Sequence, residues 1–477
     1  MSIIISLTGA SGAMGGEALD QLLDLKADIR IRLFQWEKDK KKTSFFRKGL
    51  RKGRGRVEIV KGDLARYEDC LRFVDGADYV LHCAALIPPR SDHNEKLAYE
   101  CDYLASKNLV DAINASPNRE RIKFVYIGTV AEYGNRNRKT LWGRVGDPMI
   151  SSDYDCYSMN KIRAERYLFE HRPANFVSLR QTAIAHKYLF VNNMSDGLMF
   201  HTSWNGPLEW VSDRDSGRLL THLVAYDMQG RLKGFWNKIY NIGGGRSCRA
   251  TGFESMSQGF ALMGRSAKDF FSPEWNITRN FHGCYFLDGD KLESILHFRR
   301  DSLADFWARM GKKHWYLKLA RIVPPALIKS LVFKPLLKNE NAPMHWVDSG
   351  CEGHVKAFFG GREAFAKIPR SWDKFNLYCE GHDESGKPFD NEASKDLAWA
   401  KKNHMALDHG YEESKPVGSL TIEDMRQAAA FRGGECLSDS MEKGDLWTKL
   451  KWRCAEGHEF LMSPLRVALR GLLVPRL

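Results

Sequence analysis

The sequence has no apolar run of about 18 residues, so it contains no candidate for a membrane-spanning helix. Residues 1–9 lack the basic start and the cleavage site of a secretory signal peptide, and we therefore expect a cytoplasmic protein. The 10 cysteines do not show the spacing of a secreted disulfide framework, which favours reduced thiols. These absences exclude the membrane-spanning and disulfide-stapled classes.

The length of 477 residues is too great for one compact core and indicates two to three domains of about 150 residues each. Charged residues make up 27% of the chain and apolar residues 43%, which is the balance of a globular protein.

The net charge of +13 raises the question of a nucleic-acid partner, but much of the charge is concentrated in one segment. Its cations are Lys38, Lys40, Lys41, Lys42, Arg47, Lys48, Arg51, Lys52, Arg54 and Arg56. No stacked aromatic residues alternate with these charges, so we expect no nucleic acid.

A glycine turn close to the start of the chain is the first motif that carries chemistry. An apolar, β-branched run at residues 3–7 breaks at Thr8-Gly9, and a helical pattern begins at Ala13. Glycines follow at 9, 12 and 15. Gly9 permits a tight turn, Gly12 a close approach of the backbone to a pyrophosphate, and Gly15 contact between helix and strand. Glycine turns also end ordinary strands, but strand, turn and helix in this order predict a dinucleotide site.

Further strand and helix patterns alternate up to residue 127, with strands at 29–34, 57–60, 79–82 and 122–127. This alternation predicts an α/β fold with a doubly wound parallel sheet and helices on both faces. Asp63 follows the third strand, where we expect it to bind the adenine amino group. The small residues at 83–85 let the chain pass under the cofactor.

The choice between NAD and NADP depends on the residues at the end of the second strand. NAD sites usually have an acid there for the ribose 2′-hydroxyl, whereas this chain has Gln35 and Trp36. The basic segment that follows favours NADP, through its 2′-phosphate. A solvated loop of lysines without a ligand is the competing interpretation.

Tyr157 and Lys161 lie one helical turn apart, so the ammonium group can lie below the phenol and lower its pKa. Such a tyrosine can act as a general acid or base, while the Thr129 hydroxyl orients a substrate oxygen. Tyr-x-x-x-Lys also occurs by chance in many helices. The order of all the motifs along the chain makes the pair persuasive.

Residues 1 to about 310 resemble the extended short-chain dehydrogenase/reductases, specifically the NAD-dependent epimerase/dehydratase family. The motifs that carry the resemblance are TGASGAMG from Thr8, GDL from Gly62, HCAA from His82, GTVAEYG from Gly128, YSMNK from Tyr157, LRQT from Leu179 and YNIGGG from Tyr240. The resemblance implies a Rossmann-like sheet with a small substrate subdomain. It also makes a homodimer a candidate assembly, because relatives often pair.

The resemblance implies catalytic roles for Thr129, Tyr157 and Lys161. It implies a cofactor site formed by Thr8, Gly9, Ser11, Gly12, Ala13, Met14, Gly15, Asp63, Leu64, Cys83, Ala84, Ala85, Tyr157, Lys161 and Gln181. Three positions depart from the family pattern: Gln35 replaces the acid, Asp102 replaces an asparagine, and Gln181 replaces a proline.

Residues 181–215 are expected to line the substrate side, although each could equally be ordinary packing. The candidates are His186, Asn192, Asn193, His201, Trp204, Trp210, Asp213 and Arg214. A nucleotide sugar also needs a cation near its diphosphate, for which Arg214, Arg246 and Arg249 are available.

Residues 315–337 are basic and amphipathic, with two prolines in the middle. One interpretation lays them on a membrane surface or an acidic partner. We favour a helical hairpin that packs on the catalytic domain, because no lipid signal accompanies the segment.

The tail repeats a cysteine and a histidine around a short glycine turn at 351–354, 379–382 and 454–458. The last repeat is similar to a treble-clef zinc module, with Cys436, Cys454 and His458 as candidate zinc ligands. Residues 471–477 do not contain the closing Cys-Pro-x-Cys pair, so the motif alone gives no complete four-ligand site. His404 and His409 are candidates to complete it, and a degenerate module with buried thiols is the alternative.

The chain thus divides into an NAD(P)-binding catalytic domain at 1–310, a basic amphipathic helical connector at 311–338 and a small α+β Cys/His module at 339–477. The first functional hypothesis is an NAD(P)-dependent oxidoreductase, epimerase or dehydratase that acts on a nucleotide sugar or a similar carbinol or carbonyl substrate. The second is a non-catalytic sensor or scaffold that acts through the tail.

Overall fold

A seven-stranded parallel sheet forms the centre of the structure, a computed structural model that describes residues 2–38, 43–53, 55–136, 140–187, 189, 196–377, 391–469 and 471. The strands of the described residues are β1 Ile3–Thr8, β2 Ile29–Trp36, β3 Val57–Gly62, β4 Tyr79–His82, β5 Lys123–Thr129, β6 Trp142–Gly143, β7 Asn175–Gln181, β8 Ala183–Ala185, β9 Pro207–Ser212, β10 Lys238–Ile242, β11 Arg249–Thr251, β12 Tyr285–Phe286, β13 Glu435–Cys436, β14 Leu450–Arg453 and β15 Glu459–Met462.

Helices cover both faces of this sheet and build most of the second half of the chain. Their bounds are α1 Ala13–Leu23, α2 Thr43–Gly53, α3 Tyr67–Val74, α4 Glu95–Ala98, α5 Ala105–Ala115, α6 Cys156–His171, α7 Asp213–Met228, α8 Gly252–Ala261, α9 Ala267–Phe270, α10 Gly289–Leu296, α11 Leu303–Lys313, α12 Pro325–Ile328, α13 Lys334–Leu336, α14 Pro343–Asp348, α15 Glu352–Phe359, α16 Arg362–Ala366, α17 Asn391–Ser394, α18 Leu397–Lys402, α19 Ile422–Phe431 and α20 Pro464–Ala468. A π-helical turn, Tyr99–Leu104, joins α4 to α5.

The strand order across the sheet is β3-β2-β1-β4-β5-β7-β10, and every neighbouring pair is parallel. The order reverses between β1 and β4, which is where doubly wound folds bind ligands at the carboxyl ends of the strands. The predicted Rossmann-like α/β class is confirmed. One hydrophobic core lies on each face of the sheet.

The basic segment after β2 is largely helical and not a loop, because α2 runs from Thr43 to Gly53. Residues 40–42 and 54, which supply four of its predicted cations, lie outside the described residues.

The tail contacts the rest of the chain in three places. Residues 333–377 pack on the substrate subdomain, where Phe333 and Trp372 join the core around Phe200. Residues 397–406 pack against Trp142. A small α+β unit around Trp452 contains the antiparallel sheet β13-β14-β15, and its core also includes Met149 and, from α6, Ile162. A small C-terminal α+β unit is thus present, as predicted.

The described part of the chain contains no helix with both the length and the apolar character that a membrane crossing requires.

A buried ion cluster joins the central strands to α6. The Arg180 guanidinium lies 3.0 Å from a Glu132 carboxyl oxygen and makes two hydrogen bonds, of 3.1 and 3.2 Å, to Glu165. All three side chains are fully buried. Burial and the neighbouring Glu165 raise the pKa of Glu132 well above its usual range. A proton on Glu132 leaves one carboxylate for one guanidinium, so the cluster can be neutral.

We expect Arg180→Leu to lower the free energy of unfolding by about 3–5 kcal/mol, because it leaves two buried carboxyl groups without their cation. Urea denaturation followed by circular dichroism measures the change. Arg119→Leu is the matched control, since the ion pair of Arg119 with Glu120 is exposed and should contribute at most about 1 kcal/mol. Equal losses in the two variants would contradict a structural role of the cluster.

Candidate active site

The glycine turn is fixed against the end of β4. Gly9 has φ +68°, and a Cβ there would lie 2.6 Å from the Ala84 backbone nitrogen, so only glycine fits. The Thr8 hydroxyl accepts a hydrogen bond from the Ala84 N–H at 3.1 Å and bonds to His82 Nδ1 at 2.8 Å. Burial lowers the pKa of His82 to about 3, so its ring stays neutral. The HCAA motif therefore supports the turn.

The start of α1 fits the pyrophosphate of a dinucleotide. Gly12 is its N-cap and supplies no side chain to satisfy the first N–H groups of the helix. A Cβ on Gly15 would lie 2.4 Å from the Gly9 carbonyl oxygen, so the turn leaves no room for side chains behind the helix start. Free N–H groups at a helix N-terminus are suited to binding phosphate.

A cavity of about 1070 Å³ extends from this turn along the carboxyl ends of the strands. The predicted cofactor residues that line it are Gly9, Gly12, Ala13, Met14, Gly15, Cys83, Ala85, Tyr157 and Gln181. The predicted cofactor residues that do not line it are Thr8, Ser11, Asp63, Leu64, Ala84 and Lys161. Asp63 follows β3, and its carboxylate lies 3.1 Å from Lys38 Nζ.

Two of the three predicted catalytic residues, Thr129 and Tyr157, line one wall of this cavity, and Lys161 is not part of the lining. Thr129 ends β5, and its hydroxyl is hydrogen-bonded to the phenol of Tyr157 on the first turn of α6. Lys161 lies one turn further along α6. Its Nζ donates a hydrogen bond of 2.6 Å to the Ile127 carbonyl oxygen and lies 4.2 Å from the centroid of the Tyr126 ring.

The pKa of the Tyr157 phenol shifts in the direction opposite to the one that the sequence predicts. Burial raises the pKa of Tyr157, the nearby Asp102 adds to the effect, and the hydrogen bond from Thr129 opposes it. Burial also lowers the pKa of Lys161, while Asp102 and Glu132 oppose that change. Desolvation therefore raises the pKa of this phenol, whereas the sequence predicts that Lys161 lowers it.

Asp102, which stands where many relatives have asparagine, lies close to this set. It is 1% exposed, and its Oδ1 accepts a hydrogen bond of 2.7 Å from the Leu86 N–H. Its Oδ2 is buried without a hydrogen-bond partner. Burial raises the pKa of Asp102 to about 7, although Lys161 opposes the shift. This carboxyl group can therefore gain or lose a proton near neutral pH.

The far half of the cavity is walled by residues that sequence reasoning missed. Trp346, His354 and Phe358 come from the tail, and Tyr154 and Phe281 complete this wall. The His354 ring stacks on Tyr154, with centroids 4.0 Å apart. The sequence predicts a glycine turn of the metal-binding kind around His354, whereas in the structure Cys351 is the N-cap of α15 and His354 lies on that helix. Aromatic spacing in α15 was the only signal in the sequence.

Of the candidates in 181–215, His186, His201 and Trp210 line the cavity and Asp213 does not, whereas Trp204 packs in the core with Trp372. Asn192 and Asn193 lie outside the described residues.

No lysine or arginine is among the described residues that line the cavity, which include five carboxylates. The carboxylates belong to Asp92, Glu95, Asp153, Asp155 and Asp196. The three arginines proposed for a diphosphate do not line it either. Arg214 lies 3.8 Å from Asp301, Arg249 pairs with Glu209 at 3.0 Å, and Arg246 lies near acids of the tail.

The candidate zinc ligands are only partly brought together. Cys454 Sγ lies 3.6 Å from His458 Nδ1 in the turn between β14 and β15. Among the described residues no group of three potential ligands is close enough to hold a metal, so Cys436 does not complete a site. His409 is bonded to Asp147 at 2.7 Å. The repeat at 379–382 lies outside the described residues.

Comparison with known proteins agrees with the fold. The model of the NAD dependent epimerase/dehydratase family matches residues 5–188. A curated relative, the human sterol-4-alpha-carboxylate 3-dehydrogenase (decarboxylating), is 27% identical over 166 residues, which are 34% of this chain. The match spans 38% of that relative's length.

Two solved structures illustrate the likeness. A UDP-glucuronic acid 4-epimerase from Bacillus cereus, in complex with UDP-glucuronic acid and NAD, has a TM-score of 0.51 at 16% identity and covers 66% of this chain and 99% of its own. A dTDP-glucose 4,6-dehydratase from Streptomyces venezuelae, with NAD bound, has a TM-score of 0.50 at 21% identity. The match covers 66% of this chain and 97% of the dehydratase chain. At sequence identities of 16% and 21%, the likeness to these structures shows a shared fold and nothing more.

The glycine turn, Thr129 and Tyr157 line one cavity, and together with Lys161 they lie within the matched segment. Residues 5–188 of this chain are thus similar to the NAD dependent epimerase/dehydratase family.

Proposed function

We propose that the protein is an NAD(P)-dependent oxidoreductase of the epimerase/dehydratase type, with Tyr157 as general acid and base. The observation that carries the proposal is the Thr129–Tyr157 hydrogen bond at the cavity wall, one helical turn from Lys161. A sensor or scaffold needs only the nucleotide fold and has no use for this proton-transfer set.

In the proposed mechanism, bound NAD(P) supplies or accepts the hydride. Oxidation of a carbinol releases a hydride from carbon and a proton from oxygen, and Tyr157 takes that proton. Thr129 holds the substrate oxygen beside the phenol. Lys161, fixed to the Ile127 carbonyl, offers a positive charge that favours the phenolate form. Reduction runs the same proton transfer in reverse.

The lining supports a substrate with a largely apolar body. Aromatic residues form the far wall, and no described lining residue carries a fixed positive charge. A nucleotide diphosphate carries two negative charges, and the described lining residues offer it no lysine or arginine. Nucleotide sugars remain the second candidate, because the B. cereus structure is described as a complex with one. The human relative is described as acting on a sterol carboxylate, which has an apolar body.

Tyr157→Phe should lower kcat by about 100-fold or more, since general acid–base catalysis is usually of that size. Turnover is measured with NADPH and NADH against a panel of apolar ketones, hydroxysteroids and nucleotide sugars, and cofactor binding by fluorescence. Tyr167→Phe is the control, because this phenol lies on the same helix but bonds to Asp111. Turnover that is unchanged in Tyr157→Phe would favour the sensor.

We propose NADP over NAD as the cofactor. Two cations lie beyond β2 and β3, where the adenosine ribose is bound in this fold. Lys38 pairs with Asp63 at 3.1 Å, and Arg66 pairs with Glu37 at 2.9 Å. Both side chains are more than half exposed, so they can turn toward a 2′-phosphate.

Replacing both cations, in Lys38→Ala/Arg66→Ala, should weaken NADPH binding by about tenfold and leave NADH binding nearly unchanged, because only the 2′-phosphate needs them. Dissociation constants from fluorescence titration measure the difference. Arg119→Ala is the control for a lost surface cation. An equal effect on both nucleotides would contradict NADP preference.

Asp102 gives the protein a specific pH dependence. Its pKa rises from 3.8 when unfolded to about 7 in the native protein, which therefore binds an extra proton between these values. Stability should fall as pH rises through this window, by up to roughly 4 kcal/mol. Asp102→Asn can still accept the bond from Leu86 but cannot titrate, so its advantage over the wild type should grow from pH 4.5 to pH 8.

Urea denaturation at the two pH values measures this difference. Asp28→Asn, at an exposed position, controls for the loss of one charge. Parallel pH profiles of the wild type and Asp102→Asn would show that this carboxyl does not titrate in the window.

A further inference from the structure

The segment from residue 306 to 339 carries positive charge only. It contains eight lysines and arginines and no aspartate or glutamate. Lys312, Lys313, Lys318, Arg321, Lys334 and Lys338 are exposed. A surface of this kind attracts anions and repels other cationic surfaces.

Large apolar side chains are exposed between these cations. The group, which we call the apolar surface, consists of Trp315, Tyr316, Leu319, Ile322, Leu327, Leu331 and Val332. Ile322 is 83% exposed and Leu331 is 69% exposed. Seven exposed large apolar residues within 18 positions exceed the single exposed residues that are normal for a protein surface, and such patches mark interaction sites.

The opposite face of the same segment packs against neighbouring parts of the chain. Phe333 is fully buried against Phe260, with ring centroids 5.8 Å apart. Lys329 donates a hydrogen bond of 3.0 Å to Ser272, and Arg265 donates one of 3.0 Å to the Arg321 carbonyl. The apolar surface is therefore held outward on a fixed support.

We propose that the apolar surface docks onto a bilayer that contains anionic lipid. Apolar side chains, with Trp and Tyr among them, suit the depth of the headgroups, while lysines and arginines pair with anionic lipid. None of the helices within the described residues crosses a bilayer, so the segment lies in the plane of the interface. A second copy of this chain fits less well, since it would bring the same cations together.

Sedimentation of the full chain with lipid vesicles tests the proposal directly. One set of vesicles is phosphatidylcholine alone, and the other is phosphatidylcholine mixed with phosphatidylglycerol. We expect binding to the anionic vesicles, weaker binding to the neutral ones, and a decrease with added salt. No binding to either set would overturn the proposal.

The apolar contribution is tested with Leu319→Glu/Ile322→Glu, which should lower the partition coefficient on anionic vesicles by at least about tenfold. Both positions are more than half exposed, so the fold should be retained, as thermal unfolding can check. Val417→Glu/Leu461→Glu is the matched control at exposed apolar positions of the tail, and it should bind like the wild type. Equal losses in the two double variants would overturn the assignment of the surface.

The charge contribution is tested with Lys318→Gln/Arg321→Gln. This variant should lose on the order of tenfold in binding to anionic vesicles and little on neutral ones. Analytical ultracentrifugation of the wild type and of Leu319→Glu/Ile322→Glu completes the design. Self-association that this variant abolishes, without vesicle binding by the wild type, would assign the surface to a second copy and overturn the lipid proposal.

Discussion

The buried cation Arg180 organises the proposed active site although it does not line the cavity. It extends from β7 between Glu132, which follows β5, and Glu165, which lies on α6. Glu132 in turn accepts a hydrogen bond from the Thr129 N–H, so the strand that ends in Thr129 and the helix that carries Tyr157 are tied to one guanidinium. Taking these charges out of water is costly, and only their mutual arrangement offsets that cost. The strand end that carries the hydroxyl and the helix that carries the phenol are therefore held by an electrostatic cluster to which neither side chain belongs.

Desolvation also determines how the catalytic groups ionise. Tyr157 and Lys161 are both buried. Burial raises the pKa of Tyr157 and lowers the pKa of Lys161, so it favours the neutral form of each side chain. Asp102 shares their environment, and burial brings its pKa to about 7. Asp102 opposes the lowering of the Lys161 pKa, and Lys161 opposes the rise at Asp102, so each group favours the charged form of the other. The aspartate at position 102 thus adds an ionisable group to this set.

Much of the fold could be predicted from sequence because its signals are local. The strand, glycine turn and helix at the start of the chain, and the spacing of Tyr157 and Lys161, each lie within a few residues. The resemblance to a family then supplied roles for residues that spacing alone could not assign. The sequence could not reveal that Trp346, His354 and Phe358 close the cavity, because that wall depends on packing between segments some 200 residues apart. The three repeats of cysteine and histidine predict a metal site instead. In the structure, the ring of His354 stacks on the ring of Tyr154.

The proposed substrate and the proposed lipid surface are connected by one packed layer. Phe260 lines the cavity and its ring contacts Phe333, on the inner side of the segment whose outer side is the apolar surface. An apolar alcohol or ketone is most concentrated in a bilayer and scarce in water, by the same transfer free energy that favours its burial in an aromatic cavity. A protein that is held at the interface reaches the phase where such a substrate resides. Nucleotide sugars stay in water, and for them an apolar cationic surface on the far side of the cavity wall has no evident use. Each proposal therefore makes the other more plausible, although each rests on different residues.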